Sequence, residues 1–456
     1  MKQLIKKLIK KSSTAIAISA VVMSFNVDAK NSGPRQITLK EAIEIAYDFS
    51  PELKSSIANL EATNELASQA FSGWLPTINA SGNYGHQDID VGGNVNDDTT
   101  DNVNLTASQP IFRGFETVNR QDQADNQIKA AQQNFYAAEQ GVIFDAINAF
   151  FNLARDRQTY RYAVENEKLL QEQLTSTKQR FELGEVTITD VAQSESRLAL
   201  AKGEKDISAS NVTSSEAEFA RVVGIWAGSL VAPKNHPVPP KTLDDATQIA
   251  LANNPNLLAA HYNQLAAEDG VAVNKSALLP DVDLNGQISR QNNNFIGTDV
   301  ESKTVTVNVT VPLYQGGAEY SRIRQANKEA MREKFNRDAV DFRTRSQVKT
   351  AWKEYKSTKT VITSNQAAVK AAETAYRGVQ EEASLGVRSV LDVLDTKQAL
   401  FSAQIQLVTA KRNHAIAAYR LQQLLGRLNP RDLGLNVARY DVQKSLDDVK
   451  YKLIGW

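Results

Sequence analysis

LKEAIEIAYDFSPEL, Leu39–Leu53, is matched past the midpoint of the chain by LDDATQIALANNPNL, Leu243–Leu257. Apolar and small residues coincide in the two stretches, and each stretch ends in a Pro–x–Leu sequence. The two copies are separated by a single offset of about two hundred residues, which indicates an internal duplication.

Further segments repeat in the same order and with nearly the same spacing. Each half should therefore build the same substructure: a first repeat over 30–225, a proline-rich linker over 226–242, a second repeat over 243–428 and a tail over 429–456. The matching segments are WLPTINASG from Trp74 and LLPDVDLNG from Leu278, SQPIFRGF from Ser108 and TVPLYQGG from Thr310, FELGEVTITDV from Phe181 and ASLGVRSVLDV from Ala383, and RVVG and QLLG ending at Gly224 and Gly426.

The composition excludes several classes of protein. The formal net charge is zero, so no excess of basic residues indicates a nucleic-acid partner. The chain has no cysteine, which excludes disulfides, cysteine-bound metals, a thiol nucleophile and an acylated N-terminal cysteine. No Walker loop, nucleophile elbow or dinucleotide fingerprint occurs in a suitable context, and the four histidines form no metal motif. We therefore expect no enzyme activity and no cofactor.

Residues 1–29 have the pattern of a secretory signal peptide. The basic segment MKQLIKKLIKK precedes the short apolar run TAIAISAVVMSF, and Val27-Asp28-Ala29 offers a small-residue cleavage site. This apolar run is too short for a stable membrane helix, and no other run of about eighteen apolar residues exists. We expect an exported protein without a membrane-spanning helix.

Each half also contains two segments with the alternating pattern of β-strands. The strands are expected over about 76–90 and 102–112 in the first half, and over about 280–290 and 302–313 in the second. The polar stretches GGNVNDDTTDN and QNNNFIGTD are expected to be the loops between them. Each strand has about ten residues, the length that a tilted strand needs to cross a bilayer.

Four such strands cannot form a closed structure by themselves. Two hairpins would leave unpaired edges and an exposed apolar face, and four strands are too few to close around a lumen. We therefore expect several chains to pool their hairpins in one membrane barrel, since only closure removes the edges. Trp74, Phe112, Phe295 and Tyr314 lie near the strand ends, where the interfacial aromatic residues of such a barrel would lie.

A very long helical pattern follows the second strand of each half. The segments 115–183 and 317–385 contain no proline, and about 65 residues at 1.5 Å per residue give a helix of roughly 100 Å. Apolar residues recur at intervals of seven, as at Ile128, Phe135 and Val142, and they occupy more than one helix face. A two-stranded coiled coil needs only one apolar seam, so this pattern favours a closed ring of helices over a dimeric rod.

Returning helices are expected over 189–224 and 389–425. They would follow turns in which Gly184 and Gly386 adopt positive φ. The long and returning helices of each half then form a hairpin whose tip lies far from the strands. The sequence thus predicts a mainly α protein with a small β part, built from duplicated helix–strand–strand–helix–helix halves.

These features together resemble the TolC family of outer-membrane efflux and secretion channels over nearly all of 37–428. The resemblance rests on the duplicated architecture, on the turns after the second strands, and on the stretch GVRSVLDVLD, Gly386–Asp395. It implies a homotrimer in which a twelve-stranded outer-membrane β-barrel continues as a twelve-helix α-barrel through the periplasm. Because it lacks cysteine, the chain resembles the non-acylated branch of the family.

The resemblance implies a gate at the second tip. Asp392 and Asp395 are three residues apart and share a helix face, and the resemblance places them at the periplasmic entrance. Three chains would bring six carboxylates together. Their mutual repulsion would raise the pKa values of these carboxyl groups, and their negative charge would attract cations that block the channel. Without the resemblance, two solvated surface acids remain an alternative.

The resemblance also implies how the gate closes. Arg388 would reach Thr189 and Asp190 in the first tip of a neighbouring chain, and these links would hold the entrance shut. The best-studied members of the family carry a tyrosine where this chain has Ala383. We therefore expect fewer closing bonds here and a gate that opens more easily.

The tips are also where the resemblance implies a partner. The surfaces at Gly184, Val186, Gly386 and Val387 would take the hairpin tips of a periplasmic adaptor, although such turn residues are also simple helix caps. No energy-coupling motif is present, so an inner-membrane pump of the ABC or RND type would drive transport.

Two functions follow from the sequence. The first is a passive exit duct in the outer membrane, extending into the periplasm, for tripartite efflux or type I protein secretion. The alternative is an exported coiled-coil scaffold or adhesin without a pore, which needs neither the paired hairpins nor the acidic tip.

Overall fold

The two halves of the chain follow the same order of elements in a computed structural model that describes residues 36–92, 94–233, 235–293 and 298–452. The predicted signal peptide and Phe295 lie outside the described residues. All described residues belong to one unit, which is mainly helical with a small sheet part, as the sequence predicts. Within the described ranges, no helix has the length and hydropathy needed to span a membrane.

The helices and strands have the following bounds. The first half contains β1 (Gln36–Thr38), α1 (Leu39–Phe49), α2 (Pro51–Phe71), β2 (Thr77–Val91), β3 (Asn94–Arg113), α3 (Glu116–Glu182) and α4 (Ile188–Val223). The second half contains β4 (Ser229–Val231), α5 (Leu243–Asn253), α6 (Pro255–Ser276), β5 (Asp281–Asn293), β6 (Thr298–Thr310), α7 (Ala318–Ser384) and α8 (Val390–Leu424). A short helix, α9 (Val442–Val449), follows, and β1 pairs in parallel with β4.

The break between the two short helices has the same cause in both halves. Pro51 and Pro255 lie in the first turn of α2 and α6, where a missing N–H costs nothing. The side chain of Ser50 accepts the N–H of Leu53 at 3.2 Å, and Asn254 caps α6 in the same way. Each proline therefore starts a second helix rather than merely ending the first.

The long helices α3 and α7 each contain 67 residues and extend for about 100 Å. Each begins after a residue in the left-handed conformation, Phe115 (φ 67°) or Gly317 (φ 82°), which redirects the chain from strand to helix. Each ends at a glycine with positive φ, Gly184 (φ 75°) or Gly386 (φ 79°). These turns are the ones that the sequence predicts.

The four strands form one antiparallel sheet in the order β2-β3-β5-β6. The prediction that GGNVNDDTTDN is a loop is wrong for most of its length, because β3 begins at Asn94 and pairs with β2 throughout. The second hairpin is also longer towards its turn than predicted, since β5 reaches Asn293 and β6 begins at Thr298, although β6 ends earlier, at Thr310. Backbone hydrogen bonds extend these strands, and such bonds leave no hydrophobic pattern in a polar sequence.

The strand register gives the sheet one mostly apolar and one polar face, although Gln109, Arg290 and Lys303 also lie on the mostly apolar face. Ile78, Ala107, Gly286 and Val305 lie side by side across the four strands on one face. Directly beside them, on the other face, lie Asn79, Thr106, Gln287 and Thr304. The apolar face also carries Ala80, Gly82, Val103, Leu105, Val282, Leu284, Ile288, Val307 and Val309, and the polar face Ser81, Asn83, Asn102, Asn104, Ser108, Asp283, Asn285, Ser289, Thr306 and Asn308.

The main hydrophobic core lies halfway along α3. Phe135, Ile143 and Phe150 are buried there against α1, the end of α4, the end of α8 and the C-terminal segment. This part of α3 is apolar on several faces because it has neighbours on several sides within one chain. The pattern at Ile128, Phe135 and Val142, from which the sequence predicts a closed ring of helices, is therefore accounted for without other chains. The C-terminal segment is fixed to α2, where Asn64 Nδ2 donates to Ser445 Oγ at 3.1 Å.

Substitution of Gly426 by alanine is expected to destabilise the protein more than substitution of Gly434. Both glycines have positive φ (71° and 60°), so both changes place a Cβ in left-handed backbone at a cost of about 1–2 kcal/mol. A Cβ at Gly426 would also collide with the carbonyl oxygen of Asn253, whereas a Cβ at Gly434 meets nothing within 4 Å. Thermal unfolding should give a lower Tm for Gly426→Ala than for Gly434→Ala. Equal Tm values for the two variants would contradict the expected collision between the new Cβ and the carbonyl oxygen of Asn253.

Candidate functional site: the tips of the two helical hairpins

The tips of the two helical hairpins are built alike. The first tip is the turn 183–187 between α3 and α4, and the second tip is the turn 385–389 between α7 and α8. The N–H of Gly184 donates to the carbonyl of Phe181 at 2.9 Å, and that of Gly386 donates to Ala383 at 3.1 Å. The residues at which the sequence predicts a gate and an adaptor surface therefore lie at these tips.

A capping box starts the returning helix at each tip. In the first tip, the Thr187 hydroxyl accepts the N–H of Asp190 at 3.3 Å, and the Asp190 carboxylate accepts the N–H of Thr187 at 2.8 Å. Ser389 and Asp392 make the same reciprocal bonds in the second tip, both at 3.1 Å. Sequence analysis missed these caps, although the Thr-x-x-Asp and Ser-x-x-Asp spacings are their signature.

The two predicted gate carboxylates have different surroundings in the single chain. The Ser389 hydroxyl and N–H hold the pKa of the exposed Asp392 carboxylate below its ordinary value, and Arg388 adds to this effect. This direction is opposite to the rise expected in a ring of carboxylates, because only one chain's charges act here. Asp395, one turn further along α8, accepts a bond from Arg197 of α4 at 2.6 Å.

Arg388 forms an ion pair within its own hairpin. Its Nε lies 2.8 Å from Glu382 Oε2, at the end of α7. The equivalent pair in the first tip joins Arg180 to Glu185 at 3.1 Å, so the long helix supplies the base in one tip and the acid in the other. The link from Arg388 to Thr189 and Asp190 of a neighbouring chain stays a prediction.

The two returning helices meet in a small apolar cluster behind the tips. We call this the tip cluster; Val186 packs against it, and its members are Leu170, Leu174, Val191, Leu198, Ala201, Val390 and Leu394. Outside it, Leu183, Leu385 and Val387 are exposed. The predicted adaptor surface thus combines one half-buried residue, Val186, with the exposed residues Gly184, Gly386 and Val387.

The predicted interfacial aromatic residues lie where the sheet joins the helices. The ring of Phe112 packs edge-on against Phe115 at 5.2 Å, and the Trp74 indole is partly exposed nearby. Tyr314, which follows β6, is largely exposed. The predicted set of interfacial aromatic residues did not include Phe115, although its position at the strand-to-helix turn could have indicated it.

One chain does not provide a metal site in the part that the structure describes. No group of three or more histidine, aspartate or glutamate residues is suitably placed for a metal ion among those residues. Cation binding at Asp392 and Asp395 would therefore need carboxylates from other chains.

This geometry agrees with what comparison with known proteins shows. The family model for outer membrane efflux proteins matches residues 42–224 and 246–427, one match for each half. The chain belongs to the outer membrane efflux protein family, and its sequence resemblance to the TolC family is confirmed.

Curated relatives and a solved structure cover most of the chain. The chain is 30% identical to the outer membrane efflux protein BepC of Brucella suis over 98% of this chain and 97% of BepC. It is 25% identical to the outer membrane protein TolC of Vibrio cholerae over 88% and 94% of the two chains. The Campylobacter jejuni CmeC outer membrane channel superimposes with a TM-score of 0.78 and 17% identity, over 90% of this chain and 89% of CmeC, and so shares the fold.

The chain is therefore an outer-membrane exit-duct protein and not an enzyme. Its relatives include an outer membrane efflux protein and two protease-secretion proteins. Nothing in these relationships supports the alternative of a scaffold or adhesin without a pore.

As the pH is lowered, the first turn of α8 should lose stability at a higher pH in Ser389→Ala than in the wild type. Asp392 stabilises this helix start while ionised, so its lowered pKa gives a contribution that is present above the unfolded-state pKa and lost as the pH falls through the folded-state value. Removing the hydroxyl removes the largest cause of the lowered pKa and moves that loss to higher pH.

Hydrogen exchange at residues 389–393, corrected for intrinsic rates, measures this effect. Ser384→Ala is the control, because the Ser384 hydroxyl donates to the carbonyl of Glu381 at 2.7 Å at the end of α7. Identical pH profiles for the two variants would contradict the assignment.

Proposed function

We propose that three copies of this chain assemble into one duct through the outer membrane and the periplasm. The observation that carries this proposal is the two-faced sheet with two free edges. β2 and β6 each have one strand neighbour within the described residues, and Val305 on the apolar face is 76% exposed. Pairing β6 of one chain with β2 of the next would satisfy both edges and give a barrel of twelve strands. Its apolar face would meet lipid and its polar face would line the lumen.

The helices support the same assembly. Leu200 and Ile207 on α4 and Phe335 and Phe342 on α7 are exposed in the single chain. Each of these helices already packs on one side against a helix of its own chain, so the exposed residues form a second apolar seam. A ring of twelve helices would cover both seams.

The chain organisation follows from the same duplication. The repeats run over 30–225 and 243–428, joined by the linker 226–242 and followed by the periplasmic tail 429–456. The two separate family matches support this division. Residues 1–29 are the signal peptide that directs export.

The second tip is the gate of the duct. Asp392 and Asp395 of three chains form an acidic constriction at the periplasmic entrance that binds cations. In the closed state, Arg388 exchanges its partner Glu382 for Thr189 and Asp190 of a neighbouring chain. Ala383 is buried and has no hydroxyl to add a second link, which supports a gate that opens readily.

A periplasmic adaptor docks at the tips, on the surfaces at Gly184, Val186, Gly386 and Val387. The exposed side chains of Leu183, Leu385 and Val387 give this surface apolar contact area that a partner could bury. An inner-membrane pump of the ABC or RND type supplies the energy. Relatives named for efflux and for protease secretion support a cargo of small molecules or of secreted protein.

An aspartate on the apolar face of the sheet should impair assembly, whereas an aspartate on the polar face should not. Val307→Asp places a charge where we propose lipid, at a cost of up to about 3 kcal/mol per chain. Thr306→Asp is the matched control, because it lies one residue away on the opposite face. Heat-resistant trimers in detergent, and conductance in a planar bilayer, should be reduced only for Val307→Asp. A stable, conducting Val307→Asp trimer would argue against this orientation.

Removal of the Arg388 guanidinium is expected to open the gate. Single-channel conductance in planar bilayers should rise several-fold for Arg388→Ala, because the proposed links between chains are lost. Glu382→Gln is the control, since it breaks the 2.8 Å pair within the hairpin and leaves Arg388 free to reach the neighbouring chain. The proposal fails if Arg388→Ala conducts like the wild type, or if Glu382→Gln has the same effect.

A further inference from the structure

The two tips share the residues that cap and pack the returning helices. The caps Thr187 and Ser389 correspond, as do Asp190 and Asp392. One turn further on, Ser194 and Thr396 each donate to the carbonyl of the aspartate four residues earlier, at 2.9 and 2.8 Å. Leu198 and Leu400, the next equivalent pair, are both buried. The capping, hydrogen-bonding and packing positions of the duplication have therefore been preserved at the start of both returning helices.

The tips differ at several charged positions, and two of these differences form one contact. Asp395 corresponds to Gln193 in the first half, and Arg197 corresponds to Ala399 in the second half. The acid thus occurs only in the second half and the base only in the first half. These two residues contact each other, with 2.6 Å between Arg197 Nη2 and Asp395 Oδ1.

The tip cluster fixes the geometry of this pair. Arg197 precedes Leu198 on α4, and Asp395 follows Leu394 on α8, and both leucines belong to the cluster. The packed leucines bring the two helices together, so the charged side chains meet at the rim. The side chains are 34% and 56% exposed, so the pair adds little to stability. Its effect on the local charge does not depend on that stability.

We infer that Arg197 is a built-in counter-ion of the acidic entrance, which lowers the affinity of the entrance for cations. This inference rests on the proposed trimeric duct. Six carboxylates from Asp392 and Asp395 would give the constriction a charge of minus six, and three guanidinium groups within hydrogen-bond distance reduce it to minus three. The ring is then acidic enough to exclude anions but binds divalent cations weakly, so periplasmic Mg²⁺ does not close the duct.

Charge-neutralising variants test this inference in planar bilayers. In Arg197→Gln, Mg²⁺ should block the conductance at concentrations about three to ten times lower than in the wild type at an ionic strength near 0.1 M. Asp395→Asn should move the block in the opposite direction, to higher Mg²⁺ concentration, and Arg197→Lys should behave like the wild type. If the pair acts only as a mechanical link between α4 and α8, both Arg197→Gln and Asp395→Asn break it and shift the block in the same direction.

Lys178→Gln is the matched control. Lys178 lies on α3 near the same tip and pairs with Glu195 at 2.7 Å, so its loss removes one positive charge per chain without affecting Asp395. The inference is overturned if Arg197→Gln leaves the Mg²⁺ block unchanged, if Lys178→Gln shifts it equally, or if Arg197→Gln and Asp395→Asn shift it in the same direction. A wild-type protein that conducts no current in the bilayer would overturn the duct itself, together with this inference.

Discussion

Backbone groups at the edge of a sheet need partners, and the architecture of this protein depends on that requirement. In hydrocarbon, an unpaired N–H or C=O group costs several kcal/mol, so an open sheet cannot remain in a membrane. The four strands leave two edges, β2 and β6, and the other two strands in the described residues, β1 and β4, pair with each other. In the proposed trimer, β6 of one chain pairs with β2 of the next, and the exposed residues Leu200 and Phe335 contact helices of the same neighbours. The membrane end and the periplasmic end of the proposed trimer thus use the same neighbouring chains.

Much of the fold follows directly from the sequence. The duplication, the long proline-free helices and the glycine turns at Gly184 and Gly386 depend on local patterns, which are visible without a structure. The strand ends were predicted less well. Around Asn94 the sequence is polar, and the pairing there depends on backbone hydrogen bonds to the other strand of the hairpin. Side-chain pattern carries little information about such pairing.

The functional site was predictable only in part. The sequence places Asp392 and Asp395 at one tip because the motif is local, but it does not reveal that Asp395 meets Arg197, which is 198 positions away in the chain. That contact depends on how two hairpins pack through the tip cluster, and packing between distant elements leaves no periodic signal. The caps at Thr187 and Ser389 were accessible from spacing alone, and their role as helix starts explains why each tip has an aspartate at the same place.

The short parallel pair of β1 and β4 affects how the protein would respond to proteolysis between its two halves. It joins the start of the first half to the segment that follows α4. The Arg157 guanidinium holds that segment through the carbonyls of Ala227 and Gly228, and also donates to the carboxylate of Glu216. The connection between the halves is therefore secured by non-covalent bonds as well as by the peptide chain. Cleavage of the chain between β4 and α5, where Val238 is exposed, would therefore leave the two halves held together by these contacts.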